Sequence, residues 1–505
     1  MGEMSLIKQI QAFCGDEQLF ENVNTELDGN DIYITAEEVS FVKITWEANF
    51  SKTSVVLGDA WERSYGDLCF KPISNVCHMP WYFAVSSEDG AFYCGVKTLP
   101  NAFCSWNVTE NEITLELDLR CGGKPVRLSG RKLFAASVVK MSSEKYSFEQ
   151  MKKFCGMMCD NPMLPEKPLY GGNDWYCCYG DNSERTVLLQ TERISECSNS
   201  KENRPFMVID DGWQRLHNGQ VLELGGYNGG PWDACNGKFS SMAETARKIK
   251  ELNVRPGIWY RPLITMESFD DAMYIKRDGG LKVIDPSVDF VINKVKEDVS
   301  RIREWGFELI KHDFTTYDLF GKWGFQMAPY IAEGDWSFAD RTRTSAEIVK
   351  ALYAAIKEAA GDMLIIGCNT VSHLCAGLAH MQRTGDDTSG IDFNRTLKNG
   401  VNTLAFRGAQ HEKFYAVDAD CVGITDKIPW KQNDEWLRLI AQSGTALFVS
   451  IDENAYNSEI KAALTKAFDI AAKGTQGLSP IGACTEVTPN VWVDAQGNKV
   501  QFNWN

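Results

Sequence analysis

The sequence predicts an α/β protein: a closed parallel (β/α)8 barrel of the TIM type, preceded by an N-terminal β-sandwich and followed by a short C-terminal β appendage. Three observations carry this reading. After residue 165, eight short apolar segments alternate with helical patterns. Those segments end in polar or ionisable residues, as buried parallel strands do where their C-terminal tips open into a cleft. Before residue 165 the grammar is different, with alternating strands separated by turns.

In the first region, residues 31–36, 41–46, 91–96 and 112–118 alternate apolar and polar side chains, the period of a half-buried strand. Residues 147–155 predict a helix, and the Pro-rich stretch 160–168 cannot continue it. The expected division is therefore 1–165 for the sandwich, 166–474 for the barrel and 475–505 for the C-terminal segment. The eight barrel strands are expected within 169–177, 205–211, 255–261, 307–314, 363–369, 380–387, 414–424 and 446–451. Helices are expected over 240–252, 288–305, 345–360, 394–408, 434–443 and 457–473. The last thirty residues hold at most a few strands around a turn at 494–498.

At 505 residues the chain needs neither metals nor disulfides to bury a sufficient core. Its formal charge of -16 argues against nucleic acid or an anionic membrane as partner, since both are bound by clustered Lys and Arg. A neutral or cationic small molecule fits better. The aromatic share of 11% suits sugar-binding platforms and large cores alike. Sixteen scattered Cys, with no apolar signal core in Met1 to Lys8, point to the reducing cytoplasm. No apolar run reaches 18 residues, so no spanning helix is expected. Cys155-x-x-x-Cys159 and Cys177-Cys178 lack a matching second half with His, so no metal or other cofactor is expected.

The functional signal lies at the strand tips. Residues 307–314 deliver Lys311, His312 and Asp313 in succession, which makes Asp313 the first candidate for a catalytic carboxylate. Strand 2 ends in Asp210-Asp211, a repulsive pair unless a ligand, a base or hydrogen bonds take up the charge. Strand 6 ends Arg383-Thr-Gly-Asp-Asp387. The mouth thus offers acids from strands 2, 4 and 6, cations at Lys311 and Arg383, and rings at Trp175, Trp213 and Trp259. This inventory binds polyols, and it also meets what splitting a glycosidic bond requires: a carboxylate to attack and a second carboxyl to protonate the leaving oxygen. Lys311 is expected to keep Asp313 ionised, while strand 6 supplies a drier acid of raised pKa.

The segments Asn173-Asp-Trp175, Val208-Ile-Asp-Asp-Gly-Trp213, Gly257-Ile-Trp259, Leu309-Ile-Lys-His-Asp-Phe314 and Arg383-x-x-x-Asp387 resemble the successive strand-end motifs of the melibiase-type α-galactosidases, the clan of glycoside hydrolase families 27 and 36. The resemblance spans about residues 165 to 455, and the flanking β regions also fit family 36. It implies a retaining exo-acting α-galactosidase with Asp313 as nucleophile and Asp387 as acid/base; Asp386 is the alternative acid, and the spacing from Arg383 favours Asp387. By the same resemblance Asp210 and Asp211 accept hydrogen bonds from O4 and O6, Lys311 touches O3 or O4, Arg383 touches O2 or the acid/base, and Trp175 and Trp259 form part of the sugar's wall. Family 36 members are often homo-oligomers in which the N-terminal domain lines a neighbour's site.

Two features depart from that pattern. Strand 5 ends Cys368-Asn369-Thr-Val371 where small residues are usual; that loop lies near O2 in the clan, so the resemblance leaves α-N-acetylgalactosaminidase activity open beside α-galactosidase, as it does raffinose-synthase-like transfer. Strand 3 carries Arg261 where an acid is common, and a pairing with Glu267 or Asp271 is expected. His312 should point behind the barrel wall, opposite to Lys311 and Asp313. His373, His380 and His411 read as structural. A non-catalytic sugar-binding barrel is the alternative from another class.

Overall fold

A computed structural model describes the chain except residues 1–3, 5, 76, 218–225, 278–281, 475–476, 483–484 and 505. Two expected features therefore lie wholly or partly outside the described residues: the stretch Met1 to Lys8, of which 1–3 and 5 are not described, and the boundary at Thr475.

Among the described residues, one parallel ladder carries eight barrel strands: β1 (Tyr170–Asn173), β2 (Phe206–Ile209), β3 (Arg255–Tyr260), β4 (Leu309–His312), β5 (Leu364–Gly367), β6 (Met381–Arg383), β7 (Ala416–Asp418, resuming at Val422–Ile424) and β8 (Leu447–Ile451). Each strand pairs in parallel with the next, and β1 pairs with β8. The seventh strand is divided because its first piece belongs to β6 and its second to β8. Between the pieces Asp420 takes the left-handed conformation, φ 79. The ring closes where the Ala446 amide donates to the Val417 carbonyl at 3.1 Å. The strands are buried on both faces, hence their short apolar runs with little alternation.

The expected helices form around this ring. Phe148–Met158 is capped by the Ser147 side chain, Met242–Glu251 by Ser241, and Ser345–Ala360 by a reciprocal Thr344–Glu347 box. Glu184–Cys197, capped by Ser183 with Thr186, was not among the predicted helices, because Thr in place of Glu or Gln weakens the capping signature. The helix expected over 394–408 contains a π-helical stretch, Thr396–Val401. There the backbone of Gly400 abuts Trp436 so closely that a Cβ would lie 2.6 Å from the ring.

Before the barrel, a six-stranded and a seven-stranded antiparallel sheet face each other. Phe83 of one lies 5.5 Å from Trp106 of the other, ring centre to ring centre. Strands Asp31–Ala36, Phe41–Glu47, Gly90–Val96 and Glu112–Asp118 stand where alternation predicts them. This β region docks on the tip side of the barrel: Trp81 stacks on His373 at 5.1 Å, and Phe103 meets Phe320 edge-on at 5.5 Å. After the barrel, Leu478–Pro480, Val491–Asp494 and Lys499–Gln501 form a small antiparallel sheet. Its turn at 494–498 is closed by the Gly497 amide donating to the Asp494 carbonyl and the Asp494 amide donating to the Asn498 carbonyl, both at 3.0 Å.

Candidate active site

The strand tips surround a cavity of about 360 Å³ lined by Trp175, Asp210, Asp211, Trp259, Lys311, Asp313 and Asp387, with Arg63, Tyr65, Phe314, Trp323, Phe325, Asp386 and Arg395. Seven residues from five separate sequence motifs thus meet in one space. Strand alternation explains the selection at β4: Lys311 and Asp313 face the cavity, while His312 lies behind the wall against Tyr353. Burial drives the His312 pKa down to about 4, so it stays neutral.

Asp313 sits just past β4, where Phe314 adopts φ 63 and turns the chain. A residue other than glycine held there stores strain of about 1–3 kcal/mol, sustained by the packing around it. The turn lets the Phe314 amide donate to Asp313 Oδ1 at 2.7 Å while the Trp259 indole donates to Oδ2 at 3.1 Å. The carboxylate is aimed from two sides.

Just past β2, Asp210 Oδ2 accepts from Asn173 Nδ2 and from Lys311 Nζ, both at 2.6 Å. Lys311 therefore pairs with Asp210, not with Asp313 as the sequence suggested, because the neighbouring tip reaches its ammonium first. Asp211 accepts from Gln214 Nε2 at 2.7 Å and Asn228 Nδ2 at 3.0 Å. Burial, assisted by Asp210, raises its pKa to about 7 against those bonds. Burial and Asp210 raise Asp174 to about 7 as well. Gly212, at φ 125, has no room for a side chain: a Cβ would lie 2.4 Å from the Gly180 carbonyl oxygen. That tight turn keeps both acids at the mouth.

Beyond β6, Asp387 is the more open acid, with 36% of its side chain exposed. Burial pushes its pKa up, but Arg383, Arg63, Lys311 and Arg395 outweigh it and hold the carboxyl at about 2. The raised strand-6 acid is instead Asp386, where burial exceeds the pull of Arg63 and Arg395. The expectation of a dry, raised Asp387 thus fails, because the sequence does not reveal how many cations converge there.

Four predicted site residues stand outside the cavity lining. Trp213 is fully buried: it packs on Trp232 and Trp305, and its indole donates to the Trp259 carbonyl at 3.0 Å. It is core, because Gly212 turns the chain away from the mouth after Asp211. Cys368 is buried with its thiol 4.0 Å from Arg383 Nη1. Asn369 is buried in the left-handed conformation, and its amide donates to Glu62. Arg383 lies behind Asp387, 3.1 Å from its Oδ1 and 3.0 Å from Asp420 Oδ2. Arg261 pairs with Asp318 at 2.6 Å, since the short helix Thr315–Phe320 delivers that acid beside it; Glu267 pairs with Lys294 instead.

Sequence reasoning missed the contribution of the loop 59–65 from the N-terminal β region. Ser64 continues the barrel ladder: its amide donates to the Thr384 carbonyl at 2.8 Å, and the Asp386 amide donates to the Ser64 carbonyl at 2.7 Å. Arg63 is thereby carried to both strand-6 acids. Buried Arg407 fixes the loop from below, through an ion pair with Asp59 at 2.8 Å and bonds to the carbonyls of Glu62 and Thr384. Glu62 ties the loop to Asn369, Tyr65 and the Gly324 amide. The only sequence signal was a run of charged and aromatic residues, Trp61-Glu-Arg-Ser-Tyr65, in a sandwich loop. Among the described residues, no group of three or more His, Cys, Asp or Glu side chains is arranged to hold a metal ion, no helix is long and apolar enough to cross a membrane, and all fifteen cysteines are free.

No family model matches the sequence, and no curated protein matches it. Solved structures do match the fold. Together, barrel and docked β region are similar in fold to solved α-galactosidases. The α-galactosidase of Thermus thermophilus, solved with p-nitrophenyl α-D-galactopyranoside, aligns with a TM-score of 0.62 at 16% identity over 98% of this chain and 99% of that one. A family 36 α-galactosidase of Geobacillus stearothermophilus aligns at 0.60 and 13% identity over 97% and 77%, and an α-galactosidase of Lactobacillus brevis at 0.58 and 13% over 97% and 74%.

Proposed function

We propose that the protein is a retaining, exo-acting α-galactosidase that hydrolyses terminal α-galactosides by double displacement. The observation that carries this reading is that Asp313, past β4, and Asp387, past β6, line one cavity together with Asp210, Asp211 and Lys311. In the first step Asp313 bonds to the anomeric carbon, the bond from that carbon to the leaving oxygen breaks, and the Asp387 proton passes to that oxygen. In the second, Asp387 takes a proton from water, which attacks the same carbon and releases Asp313. Asp210, Asp211 and Lys311 offer acceptors and a donor for sugar hydroxyls, and Trp175 and Trp259 supply the apolar wall.

The substrate class follows from this set and from the fold shared with α-galactosidases, some of them solved with galactosides or oligosaccharides such as stachyose. Arg63 and Tyr65 of the N-terminal β region line the same cavity. The free thiols fit the cytoplasmic location expected from the sequence, which cell fractionation checks. The test of function is a screen of aryl α-glycosides with the product anomer followed by NMR. Release of α-galactose first is expected. Turnover of the N-acetylgalactosaminide alone reassigns the substrate, β-galactose as first product overturns retention, and tight binding without turnover makes the protein a sugar binder.

A further inference from the structure

The carboxyl proposed above to carry the proton stands in an unusual field. Asp387 is faced by Arg383 of β6, Lys311 of β4, Arg395 after β6, and Arg63 of the N-terminal loop. Asp386 lies beside it, the phenols of Tyr176 and Tyr179 approach from beyond β1, and Asp420 occupies the far side of Arg383. Four cations favour the carboxylate over the acid. A group that must hold and then release a proton needs one of those charges to be met elsewhere while the proton is present.

Arg63 meets that requirement. Its Nη1 lies 3.3 Å from Asp386 Oδ1 and 3.2 Å from Asp387 Oδ1, between the two carboxyls. Asp386 is itself anchored by Arg395 Nη2 at 3.1 Å and by its amide on Ser64. Arg395 Nε and Asn399 Nδ2 hold the Asp387 carbonyl at 3.0 and 2.7 Å, which fixes the backbone that presents both acids. The guanidinium lies 5.8 Å from the centre of the Tyr65 ring and 5.5 Å from that of Trp323, so its direction is set by packing as well as by charge.

Resting on the glycosidase reading, we propose that Arg63 is a positioning residue for the acid/base: it is shared between Asp386 and Asp387, so that Asp386 meets its charge while Asp387 holds the proton and Asp387 meets it once the proton has gone. As the glycosidic bond breaks and Asp313 bonds to the anomeric carbon, the proton moves to the leaving oxygen and the new Asp387 carboxylate gains Arg63. When water later gives Asp387 a proton, Arg63 returns to Asp386. Every charge that appears has a partner already in place.

The test compares wild type, R63M, R63K and D386N on methyl α-galactoside and 4-nitrophenyl α-galactoside across pH. Removing the shared cation should cost methyl galactoside about 100-fold in kcat/KM and the nitrophenyl substrate less than about 10-fold, because a good leaving group needs little proton help. The alkaline limb should rise by about one pH unit in R63M and fall in D386N, where Arg63 is left wholly on Asp387. R63K should recover part of the loss. Equal losses on both substrates with unmoved limbs, in variants that unfold like wild type, overturn the proposal. Should R63M fail to fold, the same limb in D386N decides, and an unmoved one overturns it. Wild type that turns over neither galactoside refutes the underlying reading instead.

Discussion

The tips of β2 and β4 and the loop 59–65 furnish the same cavity by opposite routes. At the tips, each carboxylate follows its own strand, and a few consecutive residues specify both the side chain and its direction. The loop brings Arg63 to the strand-6 acids from more than three hundred residues away, and it is held by backbone bonds from Ser64 and a buried Arg407–Asp59 pair. One part of the site is local in sequence and inexpensive to specify. The other depends on the docking of the β region and is as stable as that contact.

The largest effect expected of any substitution is at the local part. Asp313→Gly should lower turnover on the order of 10⁴-fold or more, and azide should restore a fraction by entering the vacated space. Asp387→Asn comes next, at about 10²–10⁴-fold on unactivated galactosides and far less on aryl substrates, read from paired kcat/KM values. Comparable losses on both substrates would remove Asp387 from proton transfer.

The distant part should respond in stability first. Arg407→Met leaves the buried Asp59 carboxyl without its ion-pair partner, at a cost of about 3–5 kcal/mol in denaturant unfolding. If instead stability holds and only kcat falls, the loop is catalytic rather than structural. Asp174 sharpens the comparison through pH. Its folded-state pKa, about 7, lies above the ordinary carboxylate value, so the folded protein keeps a proton that the unfolded chain releases. This penalty is absent below about pH 4 and grows as pH rises towards 7. Asp174→Asn should therefore be up to about 4 kcal/mol more stable than wild type at pH 8 and equal to it at pH 4. The smallest activity effect is expected at Trp213: replacement by Phe should lower the melting temperature by a few degrees and leave KM unchanged, since the indole touches only core and the Trp259 carbonyl.

The same contrast explains what was legible in the sequence. Strands β1 to β8 announce themselves by short apolar runs, and Asp210, Asp211, Lys311, Asp313 and Asp387 by standing at their ends. Trp213 misled because a ring beside two acids resembles a platform, and only the turn at Gly212 shows that it faces inward to the core. Lys311 and Arg261 were given the wrong partners, since Asp210 and Asp318 come beside them only through the curvature of the ring. Arg63 was invisible: its meaning lies in Ser64 joining the ladder beyond Thr384, a contact across some 320 residues. Periodicity reports which face of a segment is buried, but not which distant segment covers it.

The account stands most directly on covalent capture at Asp313. Brief incubation with a slowly hydrolysed 5-fluoro α-galactosyl fluoride, acid quench and peptide mass spectrometry should find one sugar per chain, on the peptide holding Lys311 to Phe314 and absent from Asp313→Asn. A sugar attached to any other residue, or fluoride release at the enzyme's normal rate with no adduct in rapid-quench samples, would contradict it.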